Sequence, residues 1–322
     1  MEVLCSAAHR WAEAALHVPS ISCLMRIPKG SLTSLTTLEL SGGLNDHFDP
    51  AKLTVFSGAP NLHTLNLSIN YPTRIPMPWG QLTSLTFSEF PLTCLDILRR
   101  CTRLVTAGFW TEGWEFLPDM SLISMVTIAS LTSLSITFPE TRYPCEHFMP
   151  LLSRLTLPEL KVLRLYLHQQ DMTWDTVEFT RFQLRSPSLE ELTVDNSPLI
   201  SDALIAVLRN SPSLVRLTVS NCPHSFDDNV INTLRYPGEN GHCIAPKLKE
   251  IVLTQAGQNF DPENLEEMIR SRWWTKDELA ALPSPPAVAR WTKVSVYAGS
   301  EYSYRRFRRV FDARFDYTHP SA

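Results

Sequence analysis

The chain has 322 residues, 44% hydrophobic and 19% charged, a balance that excludes a disordered or fibrous protein. A net charge of −4 argues against a general nucleic-acid binder, which would be basic. Seven cysteines with no C-x-x-C pair, and an N-terminal apolar run interrupted by Arg10 and Glu13, point to an intracellular protein, cytoplasmic or nuclear, with reduced thiols and no secretory signal.

Residues 3–18 read as a helix, because Leu4, Ala8, Trp11 and Ala15 recur on one face before Pro19 stops the chain. That gives a helical N-terminal cap over 1–19, followed by a connector to residue 31. From Leu32 onward one phrase recurs, L-x-x-L-x-L. It appears as Leu35-Leu38-Leu40, Leu62-Leu65-Leu67, Leu82-Leu85-Phe87, the weaker Leu104-Ala107-Phe109, and Leu131-Leu134-Ile136. It continues as Leu160-Leu163-Leu165, Leu189-Leu192-Val194, Leu214-Leu217-Val219 and Leu248-Ile251-Leu253. The last two apolar positions of each phrase alternate with polar ones, the period of a half-buried strand. The clearest copies lie in Ser186 to Cys222, where two such strands flank the helical pattern Ala203 to Leu208. Ser201 or Asp202 is placed to cap that helix, Pro212 ends it, and Asn196 and Asn221 follow the strands, where an Asn can bond turning backbone.

Strand, turn, helix and turn, repeated nine times at steps of 20 to 34 residues, specify a leucine-rich-repeat solenoid. Its fold class is α/β, with a curved parallel sheet on the concave side and helices and loops on the convex side. One unit cannot bury its own apolar edges, so the repeats stack and share a core over residues 20–296. Between them, Ser41-Gly42-Gly43 and Tyr71 to Pro78 are turn-rich insertions. Ile75-Pro76-Met77-Pro78 reads as a stiff loop, with a ligand for a proline-binding module as the alternative. Met120 to Pro139 carries no charge for twenty residues, enough to span a bilayer, yet Ser and Thr hold eight of its positions. A buried strand with its flanks is therefore expected.

Asp261-Pro262-Glu263 opens a further helix with the stripe Leu265, Met268, Ile269 and Trp273, and Val294 and Val296 suggest one more strand. Tyr304, Phe307, Phe311 and Phe315 then recur at helical spacing, so 297–322 reads as a capping helix. Its Arg305, Arg306, Arg308 and Arg309 read as a solvated face, with contact to nucleic acid, acidic lipid or an import receptor as the alternative.

No phosphate-loop, dinucleotide, hydrolase-elbow or zincin motif is present, so no enzyme activity and no cofactor are expected. Cys222, His224, His242 and Cys243 lack the spacing of a zinc site, and Cys145 with His147 has no third partner. Neither a catalytic residue nor a metal ligand is assigned. The candidate site is the open sheet face. Its first half is mostly Thr and Ser, with Trp110 as an exception; its second half carries Arg164, Tyr166, Glu191, Asp195, Arg216 and Glu250. Tyr, Trp and Arg dominate binding energy where proteins meet. The alternative is that these residues form ordinary cross-strand pairs, such as Glu191 with Arg216.

Three stretches carry a family resemblance: Leu4-Cys5-Ser6 with His9-Arg10-Trp11 through Val18-Pro19, the irregular repeats, and Met268-Ile269-Arg270-Ser271-Arg272-Trp273. Together they resemble fungal F-box/leucine-rich-repeat proteins, in which the first stretch follows the F-box. The resemblance implies a substrate-recognition subunit of a cullin-type ubiquitin ligase, with the F-box on a Skp1-like adaptor and the repeats on a protein substrate. The F-box itself is largely missing, and only its trailing edge would lie in 1–19. Binding to the adaptor is thus expected only if an F-box lies upstream. A freestanding repeat protein without a ligase role is the alternative, and no membrane partner is expected.

Overall fold

The structure is a computed structural model that describes residues 5–43, 48–69, 72–141, 145–168, 172–236, 238, 243–256, 260–281 and 286–297. Its strands are β1 (Glu13–Val18), β2 (Thr37–Gly42), β3 (Thr64–Ile69), β4 (Ser84–Ser88), β5 (Thr106–Trp110), β6 (Val126–Thr127), β7 (Ser133–Phe138), β8 (Leu155–Thr156), β9 (Val162–Leu167), β10 (Glu191–Asp195), β11 (Arg216–Ser220), β12 (Glu250–Thr254) and β13 (Lys293–Tyr297). Apart from β6 and β8, which pair with each other, these form one eleven-stranded sheet. Every neighbouring pair in it is parallel and follows chain order. Such a sheet requires each connection to cross over on the same side, and this is the leucine-rich-repeat solenoid.

The register explains why the leucine spacing matters. Leu38, Leu65, Leu85, Ala107, Leu134, Leu163, Leu192, Leu217 and Ile251 are all paired in one row. All are buried, as are the residues two positions on, from Leu40 to Leu253. A fully buried leucine contributes about 1.5–3 kcal/mol. Each row therefore ties neighbouring repeats together more strongly than any surface pair does. The weak member at Ala107 lies beside Phe87 and Phe109 of the next row, which stack at 5.3 Å between ring centroids.

Short 3-10 turns such as Ile21–Arg26 and Thr54–Gly58 cover the early repeats. Helices cover the later ones: α1 (Pro91–Arg100), α2 (Met149–Ser153), α3 (Thr176–Leu184), α4 (Ser201–Arg209), α5 (Asp228–Leu234), α6 (Pro262–Arg270) and α7 (Lys276–Ala281). Helices α1 to α6 pack each against the next. The Asp261-Pro262 signal holds, because the Asp261 carboxylate accepts from the Glu263 amide at 3.0 Å. Ser201 and Asp202 do not cap α4. Its N-cap is Ile200, without a side-chain bond, and Leu199 just before it is buried; Asp202 instead accepts from Asn229 at 3.1 Å.

The N-terminal reading needs a larger correction. Ala8 lies in a single 3-10 turn, and Glu13–Val18 is a strand paired residue for residue with Thr37–Gly42. Ala14, Leu16 and Val18 turn toward the core and Ala15 is exposed, which is a two-residue period. A free edge of β2 offers six residues a ladder, and that outweighs the helix preference of Ala and Leu. The uncharged run from Met120 to Pro139 likewise contains β6 and β7, and among the described residues no helix is long and apolar enough to cross a membrane. The expected helix over 297–322 and its arginines lie outside the described residues, beyond Tyr297 at the end of β13.

At the last described repeats the Ser271-Arg272-Trp273 stretch closes the core. Arg272 is 1% exposed and donates to the carbonyls of Ala289, at 3.0 and 2.9 Å, and of Leu248, at 2.6 Å. Its guanidinium lies 4.1 Å from the ring centroid of Trp291. Ser271 accepts from the Tyr236 amide and donates to the Met268 carbonyl.

Candidate binding face

Alternation within each strand leaves three rows of side chains on the open face. The first row ends in Val162, Glu191, Arg216, Glu250 and Lys293; the second contains Ser135, Arg164, Thr193 and Thr218; the third runs Trp110, Thr137, Tyr166, Asp195, Ser220, Thr254 and Tyr297. From β2 to β7 the rows are largely hydroxyls, among them Thr37, Thr64, Ser84, Thr86, Ser133 and Thr137. From β9 to β12 five charged residues enter the rows. The sheet thus brings Arg164, Tyr166, Glu191, Asp195, Arg216 and Glu250 onto four consecutive strands. Trp110 stands apart, with β7 between it and Tyr166, and is 45% exposed.

The charged row is internally paired. Arg216 donates to Glu250 at 2.8 Å and to Glu191 at 3.3 Å, and Arg164 lies 3.9 Å from Glu191. The bond to Glu250 raises the pKa of Arg216, and the same bond holds the Glu250 carboxyl below its ordinary value. Asp195 accepts from the Asn221 side chain at 2.8 Å. Cross-strand pairing of Glu191 with Arg216 is therefore real, and it fixes an alternating pattern of sign, plus, minus, plus, minus, along the face. At two-sided exposure each pair contributes only about 0.2–1 kcal/mol. Such a pattern orders the surface more than it stabilises the fold.

The asparagines do more than the sequence suggested. Asn196 and Asn221 take φ of 53° and 52°, and Gln255 takes 52° at the equivalent place after β12. In this left-handed turn the backbone N–H groups of Asn196, Asn221 and Gln255 reach the carbonyls of Ser220, Thr254 and Tyr297 in the next strand, extending the ladder by one bond. Asn tolerates that φ better than most residues. Tyr297 is a face residue that sequence reasoning left out; its signal was the alternation of Val294 and Val296, which places it outward.

The buried Cys145 and Cys222 serve packing. Cys222 is fully buried beneath the turn, where its thiol donates to the Ser220 carbonyl at 3.0 Å and accepts from the Ser197 amide at 3.3 Å. Burial pushes its pKa up to about 11. His224 is exposed, and His242 lies outside the described residues. Cys145 is buried, and the backbone of His147 bridges Trp114 and Thr173. Among the described residues, no three His, Cys, Asp or Glu side chains converge on a common point.

No family model matches the chain, and no curated protein matches it in sequence. Solved structures with a similar course of the backbone include a structural-genomics protein from Bacteroides fragilis, at 16% identity over 74% of this chain and 64% of that one, with a TM-score of 0.43. Another is TLR13 in its complex with ssRNA13, at 14% identity over 83% of this chain and 43% of that one, with a TM-score of 0.36. The chain therefore spans less than two thirds of the length of either protein.

Proposed function

We propose that the chain is a non-enzymatic scaffold that holds a protein partner on the open face of β9 to β12. The observation that supports this most is the row Glu191, Arg216, Glu250 and Lys293, with Arg164 diagonal to Glu191 and with Tyr166 and Asp195 beside it. Fixed alternation of charge selects a partner of opposite alternation, and complementarity of this kind governs specificity and encounter rate more than raw affinity. Tyr166 and Trp110 add aromatic area at low entropic cost.

The finer reading is a substrate-recognition part of an F-box/leucine-rich-repeat adaptor for a cullin-type ubiquitin ligase. Its support is the resemblance of residues 4–19 and 268–273. In the fold, Glu13–Val18 of the first stretch is β1 itself, and Arg272 of the second closes the core at the other end. The alternative is a freestanding repeat scaffold with no ligase role. Robust association with a Skp1-like adaptor supports the first; its absence, with no in-frame F-box upstream of Met1, supports the second.

The test of the face is a swap of the charged run, Arg164→Glu, Glu191→Arg, Arg216→Glu, Glu250→Arg and Lys293→Glu. It keeps these five side chains oppositely charged to one another, so the fold is retained while the sign pattern inverts. Affinity capture with quantitative mass spectrometry should lose the wild-type partner. Unchanged recovery removes the open face as the docking surface.

A further inference from the structure

Large apolar side chains stand exposed at twelve described positions, and eight of these fall in the 36 residues from Phe90 to Met125. Isolated exposed leucines need no explanation, but a cluster does. Val105 sits at the entry of β5; Phe90, Leu92, Trp110, Phe116, Leu117 and Leu122 belong to the exits of β4 and β5 and the segment that follows them. Phe116, Leu117 and Leu122 are 76%, 67% and 81% exposed. The two exits are joined, since the Glu89 amide donates to the Trp110 carbonyl at 3.0 Å. The cluster runs into a cavity of about 550 Å³, where Leu117 and Met120 face Met149 and Pro150. The rim of that cavity includes the carboxylates Asp175 and Glu178.

The charge of the segment that carries the cluster has one sign. From Leu104 to Thr141 there is no Lys, Arg or His, while Glu112, Glu115, Asp119 and Glu140 are present. Glu112, Glu115 and Asp119 form no ion pair among the described residues. Two arginines, Arg154 and Arg181, line the cavity, and both hold groups of the chain itself. Arg99 and Arg100 pair with Asp96, Arg181 pairs with Glu178, and Arg154 donates to the Met120 carbonyl. Asp119 accepts from the Ser121 amide and hydroxyl but meets no cation, and carboxylates without a cationic partner around exposed apolar groups complement a partner that alternates cations with apolar side chains.

We infer that the exits of β4 and β5, with the 112–122 segment and the cavity beside it, form a second docking edge that takes a basic amphipathic helix of a partner protein. Three inter-strand spacings, from β4 to β9, measure about 14 Å. A helix of ten to fourteen residues is about 15–21 Å long, so one helix spans the edge. Its apolar stripe covers Phe116, Leu117 and Leu122 and sends one side chain into the cavity, while its Lys or Arg residues meet Glu112, Glu115 and Asp119. This edge does not depend on the charged row of the open face; the two share Trp110 alone.

The probe is a fluorescein-labelled fourteen-residue peptide of Leu and Lys at helical spacing, with a Leu/Glu peptide of the same pattern as its counterpart. Fluorescence anisotropy with the full chain should show binding of the Leu/Lys peptide that weakens as salt rises, and at least tenfold weaker binding of the Leu/Glu peptide. Phe116→Ser with Leu117→Ser and Leu122→Ser should weaken the Leu/Lys peptide at least tenfold. Glu112→Gln with Glu115→Gln should weaken it several-fold and flatten its salt dependence. All five side chains lie outside the core, so circular dichroism should be unchanged. Met25→Ser with Ile200→Ser, exposed apolar groups elsewhere, should bind like wild type, and so should the swapped charge row. Equal binding of the two peptides, an unaffected triple-serine variant at 116, 117 and 122, or an equal loss in the 25 and 200 control each overturns the inference. So does a sedimenting dimer that the triple-serine variant at 116, 117 and 122 abolishes, since the edge would then belong to a second copy of the chain.

Discussion

Replacing Arg272 with Met keeps most of the volume and removes the charge. Two carbonyls, those of Ala289 and Leu248, lose their donors in a buried site. Each stranded acceptor costs about 1–3 kcal/mol. The desolvated stack on Trp291 adds about 2 kcal/mol to the loss. Against this, burial pulls the Arg272 pKa from 12.5 down to about 10, a cost of about 3 kcal/mol that the variant recovers. The balance is a net loss of about 3 kcal/mol, equivalent to roughly a hundredfold in the local opening constant. Arg272→Ala should lose more by leaving a cavity. Arg272→Lys should fall between wild type and Met, because an ammonium does not fork across two carbonyls. A solenoid does not unfold as a single two-state unit, so native-state hydrogen exchange is the appropriate assay. Amides of β13 and α6 should exchange about a hundredfold faster in the Met variant, with β2 to β5 unchanged. Exchange of β13 within twofold of wild type would refute the reasoning that the guanidinium closes this end.

Other outcomes follow from the same geometry. Asn196→Val forces a β-branched residue to a φ of 53° and should cost about 1–2 kcal/mol in chemical denaturation, whereas Asn196→Gly should be close to neutral. The Glu250 carboxyl is held below its ordinary pKa, so its contribution is present above the unfolded value near pH 4.3 and fades as pH falls through the folded value. Glu250→Gln should therefore lower stability by about 0.2–1 kcal/mol at pH 7, with the difference shrinking below about pH 4 in acid titrations. Burial raises the Cys101 thiol to about 12 and the Cys222 thiol to about 11, and raises Cys94 as well. Iodoacetamide on the native chain should accordingly modify the less buried Cys23 and Cys243 before Cys94, Cys101 or Cys222, as read by peptide mass spectrometry.

The repeat register was legible because each leucine row follows from local alternation. All nine middle anchors fall in paired strands, Ala107 included, beside the stacked Phe87 and Phe109 of the next row. What was not legible depends on a neighbour. Glu13–Val18 has good helix formers, and only the exposed ladder of β2 makes it a strand. Ile200, not Ser201, is the N-cap, a one-residue shift that the residue types alone do not distinguish. On the open face, the residue types could be placed outward from period alone, but the sandwiching of Arg216 between two carboxylates needs the inter-strand register. The apolar edge at 90–122 escaped because exposure cannot be read from hydrophobicity, and the cavity beside it joins residues that lie more than fifty positions apart in the chain.

Site-specific photo-crosslinking reads the docking surface most directly. A benzoylphenylalanine at Tyr166 or Thr193, on the open face, is compared with one at Asn232 or Arg209, on the helices. Residues 166 and 193 should each yield the same discrete protein adduct, and 232 and 209 none. Adducts from the helical positions alone, or equal labelling from both sides, would contradict a partner seated on the open sheet.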